Sequence, residues 1–190
     1  MLEIKRTASF NLAFRFITET NLNVYLTGKA GTGKTTFLRY LRDTSHKNIV
    51  VAAPTGVAAI NAGGVTLHSL FQLPFAPFIP GNTPQENTLA GHPLLSQLRF
   101  NTDKRKILIN MDLLVIDEIS MVAANTLDSI DIILKSIRRN YQQPFGGVQV
   151  LFIGDLHQLP PVVKREHYNL FRTVYKSVYF FDSQVLSMYP

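Results

Sequence analysis

The chain has 190 residues, enough for one domain of ordinary size with a substantial core, and 46% of them are hydrophobic. With no cysteine, disulfides and thiolate zinc sites are excluded, and the five scattered histidines leave only a metal that would arrive with a bound substrate. Lys and Arg outnumber Asp and Glu by 19 to 13, a net charge of +6 compatible with a polyanionic partner. No apolar run approaches a bilayer span, and Met1-Leu2-Glu3-Ile4-Lys5-Arg6 lacks the apolar core of a secretory signal, so an intracellular protein without a membrane partner is expected.

Phe10, Ala13, Phe14 and Ile17 recur at helical spacing and predict an amphipathic helix ending before Asn21-Leu22-Asn23. Val24-Tyr25-Leu26 reads as a short buried strand, and Thr36 to Leu41 as a helix with Leu38 and Leu41 on one face. Between them, Gly28-Lys29-Ala30-Gly31-Thr32-Gly33-Lys34-Thr35 matches the phosphate-binding pattern G-x-x-x-x-G-K-[ST]. Its glycines let backbone N–H groups converge on a phosphate, Lys34 places a point charge at the β/γ oxygens, and the Thr35 hydroxyl is a ligand for Mg²⁺. The N-terminus of the following helix would point at the same phosphates.

Ile49 to Ala53 is a continuous apolar run, as in a parallel strand buried on both faces. Pro54-Thr55-Gly56 turns the chain into a small-residue helix, Val57 to Ala62, closed by Gly63-Gly64. From Gln72 to Asn110 prolines at 74, 77, 80, 84 and 93 interrupt regular structure and predict an inserted subdomain or long loop at 72–110, dividing a main domain of 1–71 and 111–190. Leu113 to Ile116 is an apolar strand ending in Asp117-Glu118, and Leu127, Ile130, Leu134 and Ile137 mark one face of the next helix, with Lys135, Arg138 and Arg139 near its C-terminal end. Gly146-Gly147 leads into the strand Val148 to Ile153, and Val178-Tyr179-Phe180-Phe181 is expected to be the last strand. Strands alternating with helices predict an α/β domain with a mostly parallel sheet and its ligand site at the strands' carboxyl ends.

Each polar motif follows a strand, so a parallel sheet gathers them along one edge. Asp117 is assigned to the metal and Glu118 to general base or water positioning, the pair of roles that nucleoside triphosphate hydrolysis requires. Gln158, three residues beyond the strand-end Asp155, is the candidate that senses the γ-phosphate.

The phosphate loop through Thr36, Pro54-Thr55-Gly56-Val57-Ala58-Ala59-Ile60-Asn61 with Thr66-Leu67-His68-Ser69, Val115-Ile116-Asp117-Glu118, and Gly154-Asp155 with Gln158-Leu159-Pro160-Pro161-Val162 resemble motifs I, Ia, II and III of superfamily 1B helicases. The chain is most similar to the petite-integration-frequency (PIF) branch, sister to RecD. The resemblance implies a RecA-like P-loop motor domain of a 5′-to-3′ DNA helicase, monomeric, using ATP and Mg²⁺ and acting on single-stranded, duplex or forked DNA. It further implies that Gly28, Ala30, Gly31, Thr32, Gly33, Lys34, Thr35 and Thr36 hold the nucleotide, Thr35 and Asp117 the metal, and that Lys34, Glu118 and Gln158 serve catalysis. Thr55, Gly56 and His68 would touch the strand; Thr55 is equally readable as a helix cap, and His68 as a core histidine. The 72–110 insert corresponds to the family's small 1B element, where Phe75 and Phe78 either stack on bases or form a private loop core. Lys164, Arg165 and Arg172 either face the strand's backbone or form a solvated surface.

Two departures stand out. The wider superfamily reads adenine with a glutamine before the phosphate loop; here no glutamine precedes Gln72, and Asn11 is the substitute. The second RecA-like domain of the family, with its arginine at the γ-phosphate, is expected to be absent from these 190 residues, so nucleotide binding without unwinding is expected. Two rival readings are a guanine-nucleotide switch, which lacks its Asn-Lys-x-Asp element here, and a nucleotide-gated DNA- or protein-binding module that does not step.

Overall fold

A computed structural model describes residues 7–74, 93–96 and 98–188. In chain order these form α1 (Ala8–Glu19), β1 (Val24–Thr27), α2 (Lys34–Thr44), β2 (Ile49–Ala53), α3 (Gly56–Ala62), β3 (Val65–Thr66), α4 (Leu67–Phe71), α5 (Pro93–Ser96), α6 (Thr102–Asn110), β4 (Leu113–Ile116), α7 (Ala124–Arg138), β5 (Gln149–Gly154), α8 (Tyr168–Val174) and α9 (Gln184–Met188). The five strands make one parallel sheet in the order β1-β5-β4-β2-β3. No helix among the described residues is long and apolar enough to cross a membrane.

The strand sequences explain why both faces are covered. Side chains alternate across a strand, so Leu113, Val115, Leu151 and Ile153 point to one side, where they pack with Ile17 of α1 and Phe37, Leu38 and Leu41 of α2. Leu114, Ile116, Val150 and Phe152 point to the other and meet Leu127, Ile130 and Leu134 of α7, Leu108 of α6 and Phe71 of α4. The face read from α7's sequence is therefore its buried face. Of the predicted insert, the 75–92 stretch with Phe75 and Phe78 lies outside the described residues, whereas α6 shares the main core through Leu108.

Two local expectations are corrected. Val178 to Phe181 is not a strand: Tyr179 makes a single antiparallel bridge to Ala123, and Phe180–Asp182 is one turn of 3-10 helix. The apolar run is used for ring packing instead, with Phe180 buried 5.7 Å from the Phe152 ring and 5.6 Å from that of Tyr25. β1 is an edge strand rather than a buried one, and Tyr25 is exposed. The polar segment after Pro161 contains α8, whose Phe171 packs with Tyr175 and Ala124.

A candidate nucleotide site at the carboxyl edge of the sheet

Register fixes which segments meet. Thr27 pairs with Gly154, Ile116 lies level with Phe152 on one side and Ala52 on the other, and the Asp117 N–H donates to the Ala52 carbonyl at 2.9 Å. The phosphate loop, Asp117-Glu118, Asp155-Gln158 and Pro54-Thr55 thus leave the sheet side by side, as the sequence predicts.

The loop's shape follows from its glycines. Gly31 and Gly33 have φ of 79° and 92°, a region that residues with a Cβ avoid, and Gly33 is the residue that launches α2. A Cβ on Gly28 would lie 2.7 Å from the Thr32 hydroxyl, which donates to the Lys29 carbonyl at 2.8 Å. Lys34 folds back over the loop and donates to the carbonyls of Gly28 and Lys29. Ala30, Gly31, Thr32, Gly33, Thr35 and Thr36 lie along the loop and the first turn of α2 and are all exposed, whereas Gly28 and Lys34 are partly covered.

The two carboxylates opposite are sparsely bonded. Asp117 accepts one N–H, from Glu118 at 3.0 Å. Burial pushes its carboxyl above the usual aspartate range, against the pull of that N–H and of the Lys34 charge. The Glu118 carboxyl is also pushed up, first by burial and then by the Asp117 charge, with Asp155 adding to the rise and Lys34 opposing it. Glu118 itself has φ 53° and ψ 44°, a left-handed conformation that costs a non-glycine residue about 1–2 kcal/mol. That kink caps the 3-10 turn Ile119–Met121, two residues beyond the end of β4. Composition gives no sign of it.

Asp155, read from the sequence as the strand-end acid before Gln158 but given no role of its own, is the anchor of this segment. Its carboxylate accepts the His157 N–H at 3.0 Å and the Gln158 side-chain amide at 3.3 Å, and the first of these bonds holds its pKa below the usual range. Gln158 is therefore anchored by the acid three positions earlier, a relation already present in the Gly-Asp-x-x-Gln spacing. Gly154 is required by proximity: a Cβ there would stand 2.8 Å from the Ile119 side chain and 3.1 Å from its backbone nitrogen. Lys34 is close enough to bias the titration of Asp117, Glu118 and Asp155 alike, which draws the three segments into one electrostatic neighbourhood. Among the described residues no group of three His, Asp or Glu side chains could hold a metal by itself. A hydroxyl at Thr35 and a sparsely bonded carboxylate at Asp117 are oxygen donors of the kind that would suit a magnesium ion.

Beside this edge lies a cleft of about 440 Å³ lined by Thr55, His68, Met121, Asn125, Lys164 and Phe171 among others. Thr55 caps α3, accepting the Ala58 N–H at 3.2 Å. His68 is exposed on α4, so it is not a core histidine. Gly56 opens α3 and is exposed, and Lys164 reaches the same cleft from the segment after β5. Asn11 is exposed on α1, whose Phe10 and Phe14 rings pack on Tyr40 of α2.

A glycine-rich loop between a strand and a helix, with acids at the ends of the neighbouring strands of a five-stranded parallel sheet, defines a RecA-like P-loop nucleoside-triphosphatase fold. The model of the PIF1-like helicase family matches residues 2–188, and the chain belongs to that family. It is 42% identical over 148 residues to the ATP-dependent DNA helicase PIF1 of Candida albicans, covering 76% of this chain and 15% of that protein. Against the human ATP-dependent DNA helicase PIF1 it is 38% identical over 143 residues, 75% of this chain and 20% of the relative. The crystal structure of Pif1 helicase from Bacteroides in complex with ADP-AlF3 and ssDNA superimposes with a TM-score of 0.85 at 45% identity, covering 96% of this chain and 40% of that one. The chain thus spans a fifth or less of these two curated relatives and two fifths of the solved one.

Proposed function

We propose that this chain is an ATP-hydrolysing motor domain of a 5′-to-3′ DNA helicase, working with a second RecA-like domain of the same protein. The convergence of Lys34, Asp117-Glu118 and Asp155-Gln158 at adjacent strand ends is the observation that carries this reading. Similarity to Pif1 in complex with ADP-AlF3 and ssDNA supports both ligands.

In this mechanism the amides of residues 30–35 wrap the phosphates, and Lys34 exchanges its loop carbonyls for β/γ oxygens. Thr35 and Asp117 would hold Mg²⁺, which supplies neutralising charge to the phosphates. Glu118, whose raised pKa brings it closer to neutrality than an ordinary glutamate, accepts the proton of the attacking water. Gln158, held by Asp155, bonds the γ-phosphate and releases it on hydrolysis. Asn11 serves adenine, and Thr55, Gly56, His68 and the 72–110 insert with Phe75 and Phe78 serve the strand. An arginine from the second domain is worth about 10³–10⁵ in rate in related phosphoryl transfer, so residues 1–190 alone are expected to bind ATP and turn it over slowly.

The test is strand-stimulated ATPase and strand affinity with Thr55→Ala and His68→Ala. The double variant is expected to lose single-strand affinity and keep nucleotide affinity, and strand affinity of the wild type is expected to fall with salt at a log–log slope of about −0.7 per phosphate neutralised. Unchanged strand affinity, or no stimulation by DNA in the full-length protein, refutes the motor reading.

A further inference from the structure

The opposite end of the sheet carries a second polar cleft, of about 470 Å³, lined by Arg105, Ile109, Ile137, Arg138, Arg139, Asn140 and Gly146. Arg105 and Ile109 lie on α6, just before β4 begins; Arg138, Arg139, Asn140 and Gly146 lie between the end of α7 and the start of β5. The cleft therefore sits at the strands' amino ends, whereas Lys34, Asp117 and Gln158 follow the carboxyl ends. A strand of four to six residues separates the two edges by roughly 13–20 Å.

Among the described residues the cleft's charge is not offset. Arg138 spends its Nε and Nη1 on the carbonyls of Gly146, Leu108, Ile109 and Met111, fixing the guanidinium between α6, α7 and the turn before β5. This bonding closes the C-terminal end of α6 and leaves Nη2 with no protein acceptor among the described residues. Arg105 and Arg139 are not buried, and no ion pair or side-chain hydrogen bond is formed by either among the described residues. Arg139 is held by its backbone, at φ 54°, as the C-terminal cap of α7. No carboxylate lines the cleft. Of the acids on the packed elements, Asp112 is engaged by the Asn48 backbone and side-chain N–H groups, Asp131 by Lys135 and the Phe145 N–H, and Asp103 sits in the first turn of α6.

A fixed guanidinium with two more beside it, no internal counter-charge and room for a substituent is the chemistry that takes phosphate oxygens, because the planar fork donates in pairs. We propose that this cleft binds the phosphodiester backbone of duplex DNA outside the motor crevice, giving the domain a second DNA-binding surface on the reverse edge of its sheet. The proposal rests on DNA being the substrate, as argued above, and differs from it in residues and in the form of DNA bound. Single-stranded DNA held at Thr55 and His68 would leave the duplex arm free to reach it.

The test uses the 190-residue chain, a short blunt duplex and a short single-stranded oligonucleotide, with affinities read by fluorescence anisotropy across a salt series. Arg105→Ala with Arg139→Ala is expected to weaken duplex binding by about tenfold and to lower the log–log salt slope by about 0.9 for each phosphate that is no longer neutralised. Single-strand affinity, nucleotide affinity and Tm should stay as in the wild type. Arg15→Ala with Lys176→Ala removes the same formal charge elsewhere and should leave most of the duplex affinity. Equal losses in the two double variants, or none in the first, overturn the proposal. Tighter binding of an oligoglutamate than of the duplex at this cleft reassigns it to an acidic protein segment and also overturns it. Loss of single-strand affinity in Thr55→Ala/His68→Ala with duplex binding intact separates the two sites, so the failure of either reading is visible on its own.

Discussion

Two pairs of acids, Asp117-Glu118 and Asp128/Asp131, are all pushed above the ordinary carboxylate range by burial first, yet they sit in opposite bonding environments. Asp128 is saturated: it accepts the Tyr175 hydroxyl at 2.8 Å, the Gln184 N–H at 3.0 Å and the Val185 N–H at 2.9 Å. Asp131 accepts the Lys135 ammonium at 2.7 Å and the Phe145 N–H at 2.6 Å. At the strand ends, Asp117 has a single internal donor and Glu118 accepts no hydrogen bond among those described. Saturated acids spend their lone pairs on holding the chain to itself; sparsely bonded ones keep them for a ligand. The contrast separates scaffold from site more sharply than burial or pKa, which run the same way in both.

The comparison can be broken from either side. Glu118→Gln in the full-length protein is expected to cut DNA-stimulated ATP hydrolysis by about 10²–10⁴ while nucleotide affinity holds, measured by steady-state turnover and titration calorimetry. Asp128→Ala should do the reverse. It orphans three donors, two of them buried, and should cost about 3 kcal/mol, roughly 6–12 °C in Tm by differential scanning calorimetry, with ATP affinity little changed in the protein that remains folded. If instead Glu118→Gln unfolded the domain and Asp128→Ala silenced turnover at full stability, the division would fail. Lys34→Ala is expected to lower ATP affinity roughly 10–100-fold without loss of Tm, since its present partners are two loop carbonyls.

The smallest effect is in pH dependence, and its sign is fixed by linkage. Folding raises the Asp117 pKa, so this group favours the folded state below the ordinary aspartate range and that contribution is lost as pH rises through the raised value. Asp117→Asn should therefore gain on the wild type across that window, seen as a Tm difference that grows with pH and then levels. A difference that shrinks with rising pH would mean the carboxylate is stabilised in the fold, contrary to its bare surroundings. By the same rule the acid limb of ATP turnover, set by Glu118, should lie above the range of a free glutamate.

What sequence alone made readable was local. The phosphate loop, the apolar strands and the α7 stripe Leu127, Ile130, Leu134, Ile137 are each written within a few consecutive residues, and the parallel sheet follows from their alternation. Asp128 reads as one more polar residue on a helix, because its partners Tyr175, Gln184 and Val185 are 47 to 57 positions away. The same distance problem misassigned Val178 to Phe181: its composition suits a strand, but β1, the open edge nearest Phe180, is met by the ring rather than by the backbone. Glu118's left-handed backbone was hidden for a different reason, since only glycine or asparagine would have advertised it. Arg138 was noted for its place near a helix end, and its four carbonyl partners come from the α6–β4 junction and the turn before β5.

Gly154 leaves less than a methyl group's clearance to the turn that Glu118 caps. The loop holding Gln158 and the turn holding Glu118 are consequently in mechanical contact through one hydrogen atom's worth of space. On the proposed mechanism, a displacement of the Gln158 amide would press on the support of Glu118, so the two halves of the edge would be hard to tune separately without first widening that gap.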